Sequence, residues 1–269
     1  MCGIVGFNWQ DEKLLKKMMA AVQHRGPDES GCYLDERVSL GHQRLKIIDL
    51  LTGKQPIHNE DGSIQIVFNG EIYNYLELKE GLLQKGHRFY TNSDTEVIVH
   101  AYEEYGTGCV KYFEGVFAFA IWDISQKRLF LARDRLGVKP LYYYLKGNRF
   151  VFASEMKTIL EYEGARRNIN LSALNEFLTY RYVPSERTLI ENLYKLLPGH
   201  ILTLEDGKIQ TSKYWDLVEN ITDEPEEYYV EKLRELLRKS VKQRLISDVP
   251  LGVYLSGGLD STCVVALMS

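Results

Sequence analysis

The sequence has no apolar run approaching the ~20 residues of a membrane helix; stretches such as GVFAFAIW are far shorter, and no apolar signal core stands at the N-terminus. A membrane span and a secretory leader are therefore not expected, and a cytoplasmic protein is. Cysteine is scarce. Cys2, Cys32, Cys109 and Cys263 stand far apart, with no CxxC pair and no Cys/His cluster at metal-ligand spacing, so neither a disulfide framework nor zinc is indicated. Positive charge is not in excess: 33 basic residues scattered among 37 acidic ones give a net charge of −4, which leaves no basic stripe for a nucleic-acid backbone. Repeats and low-complexity tracts are missing as well. What is present in quantity is core material, 45% hydrophobic residues in 269, enough for one large globular domain or one and a half ordinary ones.

The patterning is rich in strands. GIVGFNW, VSLGHQRL, SIQIVFNG, FAFAIWD, RLFLARD, LYYYL and RFVFAS read as strands, several joined by turns such as EDGS and KGNR. KLLKKMMAAVQ, YLELKEGLLQKG, DTEVIVHAYEEYG and LSALNEFLTY carry apolar residues at helical spacing. Antiparallel strands with inserted helices argue for packed sheets flanked by helices and against a doubly wound parallel sheet. A last hairpin is expected around Asp206-Gly207. The acidic DLVENITDEPEE resembles a linker, and a new unit begins with the amphipathic YYVEKLRELLRKSVKQRL. This divides the chain into 1–215, a linker at 216–226, and 227–269.

The cysteine at position 2 is conspicuous. If Met1 is removed, its thiol and a free α-amine share one residue, and an amine titrating near ~7.7 to 8.0 can take a proton from a neighbouring nucleophile. The alternative is a small residue in a first strand. In FNGEIYN, Asn69 and Gly70 stand where a strand ends and offer an oxyanion hole, or else an Asn-Gly hairpin turn. Arg44 after a strand and Asp94 before a helix could grip the carboxylate and the ammonium of a free amino acid, or serve as structural residues. HRGPD reads as a turn fixed by Gly26-Pro27 rather than a catalytic His24. Near the end, VPLGVYL reads as a strand, SGGLDS as a tight loop and STCVVALM as a helix. That unit suits a phosphate: two glycines allow close approach, the helix start offers N–H groups, Ser256 and Ser261 donate, and Asp260 could hold Mg²⁺. The lysine of a GxxxxGK[ST] loop is missing, so an ordinary Walker-type NTPase is disfavoured; a plain Gly-Gly turn stays open.

Taken in order, MCGIVGF, HRGPDESG, GHQRLKIIDL, FNGEIYN, SDTEV, GVFAFAIWD, RDRLGVKPLYY and FASEMK resemble the glutaminase domain of class II glutamine amidotransferases. SGGLDS behind them makes the resemblance closest to the glutamine-hydrolysing asparagine synthetases. It covers essentially the whole chain. The resemblance implies an α+β fold, the four-layer αββα sandwich of N-terminal-nucleophile hydrolases, followed by the first strand-loop-helix of an α/β ATP-pyrophosphatase domain that in the family runs on past Ser269. It makes Cys2 the nucleophile, its α-amine the base, and Asn69 and the Gly70 N–H the oxyanion donors. Arg44 would bind the glutamine α-carboxylate, Glu71 and Asp94 the α-ammonium, and backbone near Ile48 the substrate, while Arg25 supports the site. Ser256, Gly257, Gly258, Asp260 and Ser261 match the pyrophosphate loop, with Leu255 beside the nucleotide.

The implied reaction is hydrolysis of glutamine to glutamate and ammonia through a Cys2 thioester, with no cofactor. In the complete enzyme, ATP and Mg²⁺ would adenylate aspartate for amidation, and a homodimer is open. The rival readings are an ATP-dependent amidotransferase with another acceptor and a non-catalytic glutamine-binding module.

Overall fold

The computed structural model describes residues 1–268; Ser269, the last residue of the expected third segment, lies outside the described residues. In chain order the elements are β1 (Gly3–Phe7), α1 (Glu12–Ala21), β2 (Glu29–Leu34), β3 (Ser39–Arg44), β4 (Ile57–His58), β5 (Ile64–Ile72), α2 (Tyr75–Gln84) and α3 (Asp94–Tyr105). There follow β6 (Gly115–Asp123), β7 (Arg128–Arg133), β8 (Tyr142–Lys146), β9 (Arg149–Ala153), α4 (Met156–Ile159), α5 (Leu171–Tyr180), β10 (Leu193–Lys195), β11 (His200–Glu205), β12 (Lys208–Lys213), α6 (Glu226–Gln243) and α7 (Leu259–Met268).

The strands form two six-stranded sheets, ordered β10-β8-β9-β1-β3-β2 and β12-β11-β7-β6-β5-β4, with antiparallel neighbours throughout. Alternation along these strands sends side chains to opposite faces, and each face finds its own apolar partner. Ile4, Leu40, Val67, Ala120, Leu131 and Phe152 fill the space between the sheets. Phe7 and Val5 on the other face of the first sheet meet Leu15, Met18 and Met19 of α1. Phe68, Phe119 and Phe130 on the far face of the second sheet meet Val97, Ile98 and Ala101 of α3. Three cores between four layers give the αββα sandwich, α+β in class. Helix starts follow local chemistry: the Asp11 carboxylate accepts the Leu14 N–H at 2.9 Å to open α1, and the Ser93 hydroxyl accepts the Thr95 N–H at 3.2 Å to open α3.

The β11–β12 hairpin turns at Asp206 and Gly207, both at positive φ, as its sequence implies. The stretch expected as a strand at VPLGVYL is not one. A strand needs a neighbour for its N–H and C=O groups, and no described segment pairs with this one; Tyr254 and Leu255 are exposed. The α6 unit touches the sandwich through Gln243 Nε2, which donates to Glu114 at 2.6 Å, through Arg244 over the Tyr73 ring, and through Asp248. Among the described residues no helix is long and apolar enough to cross a membrane.

Candidate active site

Cys2 lies at the mouth of β1, where the central position of that strand fixes its backbone. Its carbonyl accepts the Arg25 Nε–H at 2.9 Å, and Arg25 Nη1 pairs in turn with Glu155 at 3.0 Å. Glu155 also takes His24 Nε2 at 2.9 Å, so His24 sits in an ion-pair cluster rather than in the cavity. The Cys2 Sγ accepts the Leu45 N–H at 3.5 Å. Burial pushes the thiol up from its ordinary value while that N–H pulls it down, and burial lowers the amine of Met1.

Opposite Cys2 lies β5. Asn69 and Gly70 do not end a strand or turn a hairpin: β5 continues to Ile72, with Asn69 opposite Ala118 and Gly70 opposite Phe117 on β6. Gly70 is required for a reason other than an unusual backbone pose. A Cβ there would lie 2.2 Å from the Val116 carbonyl oxygen and 2.7 Å from the Phe117 Cα, so β6 leaves no room for a side chain. Strand alternation sends the N–H groups of Phe68, Gly70 and Ile72 out along one edge of β5. Phe68 donates to Gln55 Oε1 at 2.7 Å and Ile72 to Asp94 Oδ2 at 2.9 Å. The Gly70 N–H between them faces away from β6, on the cavity side. Asn69 is fully buried, and neither its Nδ2 nor its Oδ1 has a hydrogen-bond partner. Leaving a buried amide unpaired costs stability, and such a group in a folded core asks for a ligand or a function.

The cavity holds about 60 Å³ with Met1 in its lining, room for a few waters. Its walls bring together Cys2, Arg44, Ile48, Asn69, Gly70, Glu71 and Asp94, all seven of the residues expected there from the sequence. Arg44 is 4% exposed and already engaged: Nη1 donates to Glu29 at 3.0 Å, and Nη2 to the carbonyls of Ile48 at 3.1 Å and Asp49 at 2.6 Å. Three of its five N–H donors are thus taken, both of those on Nη2 included, so neither parallel pair of the guanidinium is wholly free, and the Ile48 carbonyl is occupied by Arg44. Asp94 is the first residue of α3 rather than its cap, which is Ser93. Burial and the nearby Glu71 raise the Asp94 carboxyl to about 7, against the Ile72 N–H that holds it down. Burial also raises Glu71, with Lys139 opposing. A buried carboxyl and a half-buried one lining the same cavity are a ready receptor for a cation.

Three contributors escaped the sequence reading. Lys139 lines the cavity at 8% exposure, within the RDRLGVKPLYY stretch. Gln55 also lines it and fixes the Phe68 N–H. His42 on β3 reaches across the sheets to place its Nε2 2.9 Å from the Phe68 carbonyl. Burial lowers His42 to about 3, so it is neutral and donates from Nε2, clamping the peptide that leads into Asn69. No periodicity marks such cross-sheet contacts.

The Ser256–Ser261 loop lies away from this cavity. Gly257 has φ +80, a left-handed conformation open to glycine, and the Ser256 and Ser261 hydroxyls lie 2.9 Å apart beside the start of α7. Two hydroxyls, a helix N-terminus and Asp260 in the first turn fit a phosphate with its counter-cation. Leu255 beside it is exposed.

Two family models match this chain. Residues 1–215 match the family model described as a glutamine amidotransferase domain, and residues 232–269 match the one described as asparagine synthase. Glutamine-hydrolyzing asparagine synthetase 1 of Bacillus subtilis is 39% identical over 278 residues, covering 99% of this chain and 44% of the relative. A putative glutamine-hydrolyzing asparagine synthetase 2 of Methanocaldococcus jannaschii is 40% identical over 295 residues, covering 100% and 57%. The chain thus spans about half the length of the curated relatives it matches. Among solved structures, the allosteric regulatory enzyme of purine biosynthesis shares the fold, with a TM-score of 0.61 at 19% identity, covering 81% of this chain and 50% of that one.

Proposed function

We propose, for a chain that belongs to the glutamine amidotransferase domain family, that residues 1–215 hydrolyse glutamine to glutamate and ammonia, using Cys2 as nucleophile once Met1 has been removed. The observation that carries this reading is the fully buried, unpartnered Asn69 amide facing the same small cavity as the Cys2 thiol. In the proposed cycle the α-amine of Cys2 takes the thiol proton as Sγ attacks the side-chain amide carbon. The tetrahedral oxyanion is met by Asn69 Nδ2 and the Gly70 N–H. The C–N bond breaks, the amine returns its proton to the departing nitrogen, and ammonia leaves a γ-glutamyl thioester. Water then adds to that carbonyl, giving up its proton to the amine, and the C–S bond breaks to release glutamate and restore the thiol. Glu71 and Asp94 receive the substrate ammonium, Arg44 its carboxylate, and Arg25 holds the Cys2 backbone in place.

For the whole protein the proposal extends to asparagine synthesis. The similarity of both halves to glutamine-hydrolyzing asparagine synthetases supports it, with aspartate as acceptor and residues 216–226 as the joint between the two halves. Ser256, Gly257, Gly258, Asp260 and Ser261 would hold the phosphates of ATP with Mg²⁺, which would supply the activation of the acceptor carboxyl. The Asp248 carboxylate accepts the Asp49 N–H at 2.7 Å and its own N–H donates to the Ile47 carbonyl at 2.9 Å, so the second unit grips the loop that lines the cavity.

The test is glutamate and ammonia release from glutamine, measured on the parent and on Cys2→Ala. Activity in the parent and none in a folded Cys2→Ala is expected. Ammonia release by the variant at the parental rate would remove the thiol from the chemistry.

A further inference from the structure

On the far side of α3 from the cavity, four side chains from three segments converge: Glu60 from the β4–β5 loop, His87 from the α2–α3 loop, and His100 and Glu103 from α3 itself. One donor atom from each lies within 4.8 Å of all the others. His100 Nδ1 is 2.9 Å from Glu103 Oε2 and 3.6 Å from Glu60 Oε2. His87 Nδ1 is 3.5 Å from Glu103 Oε2 and 3.9 Å from Glu60 Oε1. A tetrahedral ion with ligand bonds of ~2.0–2.1 Å sets its ligand atoms roughly 3.3 Å apart, so these spacings bracket what such an ion needs.

The outer contacts follow the same plan. Each imidazole turns its Nδ1 inward and its Nε2 toward another carboxylate: His87 Nε2 is 3.0 Å from Glu104, and His100 Nε2 is 3.5 Å from Glu96. A carboxylate behind each histidine fixes the ring and its tautomer, as in histidine-liganded metal centres. The two inner carboxylates are held too, Glu60 by the Arg88 N–H at 2.7 Å and Glu103 by Asn59 Nδ2 at 2.8 Å.

We propose that Glu60, His87, His100 and Glu103 form a tetrahedral binding site for a zinc-type divalent cation, which staples the two loops to α3. Two imidazole nitrogens favour zinc and its first-row neighbours over Mg²⁺ or Ca²⁺, which take oxygen donors. All four positions are filled by protein, the pattern of a structural ion and not of a catalytic one. That the sequence gives no indication of zinc rested on the lack of CxxC pairs and of Cys/His clusters at ligand spacing. The signal for this site is instead the His-x-x-Glu pair at 100 and 103, joined by ligands that only the fold brings near.

The experiment titrates the purified, chelator-treated chain with Zn²⁺ by calorimetry and with Co²⁺ by absorption spectroscopy. Expected are one equivalent of either metal, the intense visible bands of four-coordinate Co²⁺, and a Tm rise of roughly 5 to 10 °C at a hundredfold excess over Kd. His87→Ala should abolish the Co²⁺ bands with circular dichroism unchanged. Glu60→Gln, which keeps the shape and removes the charge, should weaken binding at least tenfold. No visible Co²⁺ bands, a sulfur charge-transfer band marking binding at a cysteine, or unaltered affinity in both variants would overturn the proposal.

Discussion

Truncation of Asn69 to alanine separates an oxyanion donor from a structural amide. Asn69 is fully buried with both side-chain polar atoms unpartnered. In the resting chain an unpaired buried group costs about 1–3 kcal/mol, while removing the side chain forfeits packing of similar size, about 1–3 kcal/mol. The two nearly cancel, so Asn69→Ala should unfold within about 1 kcal/mol of the parent. In the transition state the same amide meets the developing negative charge, and its loss should lower kcat by about 10²- to 10³-fold, about 2.7–4 kcal/mol, with a small change in KM. Steady-state ammonia release and urea unfolding on the same preparations give both numbers. A kcat within threefold of the parent, or destabilisation of ~3 kcal/mol as for a fully bonded buried amide, would refute the reasoning.

The Asp94 carboxyl, at about 7 in the folded chain against 3.8 unfolded, holds its proton more tightly when folded; the stability it contributes falls as pH rises from 3.8 toward about 7. A bound ammonium reverses the preference, so KM for glutamine should fall as pH rises through about 7, and Asp94→Asn should raise KM roughly 10- to 100-fold and flatten that dependence. An unchanged KM profile in Asp94→Asn would remove it from the substrate. Arg44→Lys cannot hold Glu29 and the Ile48 and Asp49 carbonyls together while meeting a carboxylate, so KM should rise at least about tenfold with kcat little changed; KM equal to the parent's would show that Arg44 only braces the loop.

Much of the fold was legible because its signals are local. Short, nearly continuous apolar runs such as SIQIVFNG and FAFAIWD mark strands buried on two faces, and the Asp206-Gly207 turn marks its hairpin. VPLGVYL failed because an apolar run becomes a strand only beside another strand, which is a property of the neighbours. At the site, the chemical types of Cys2, Arg44, Asn69 and Asp94 were readable, and their order along the chain pointed to one family. Their roles in the architecture were not. Gly70 is small because β6 presses on it, Asp94 starts a helix that Ser93 caps, and His42 and Gln55 act across strands far apart in sequence. The same limit hid Glu60, His87, His100 and Glu103, whose meeting depends on two loops folding back onto α3.

Intact-mass measurement after treatment with a glutamine-like electrophile bears most directly on the chemistry assigned to Cys2. With Met1 attached, the Cys2 nitrogen is an amide without a basic lone pair, the half-buried thiol is pushed up, and Met1 occupies the cavity lining. The expected result is one adduct per chain, carried by Cys2 of molecules that begin at Cys2, with ammonia release lost in step with labelling, and little reaction in a homogeneous preparation retaining Met1. Equal labelling and equal hydrolysis by the Met1-retaining chain, or an adduct on another residue, would contradict the assignment of thiol and α-amine as nucleophile and base.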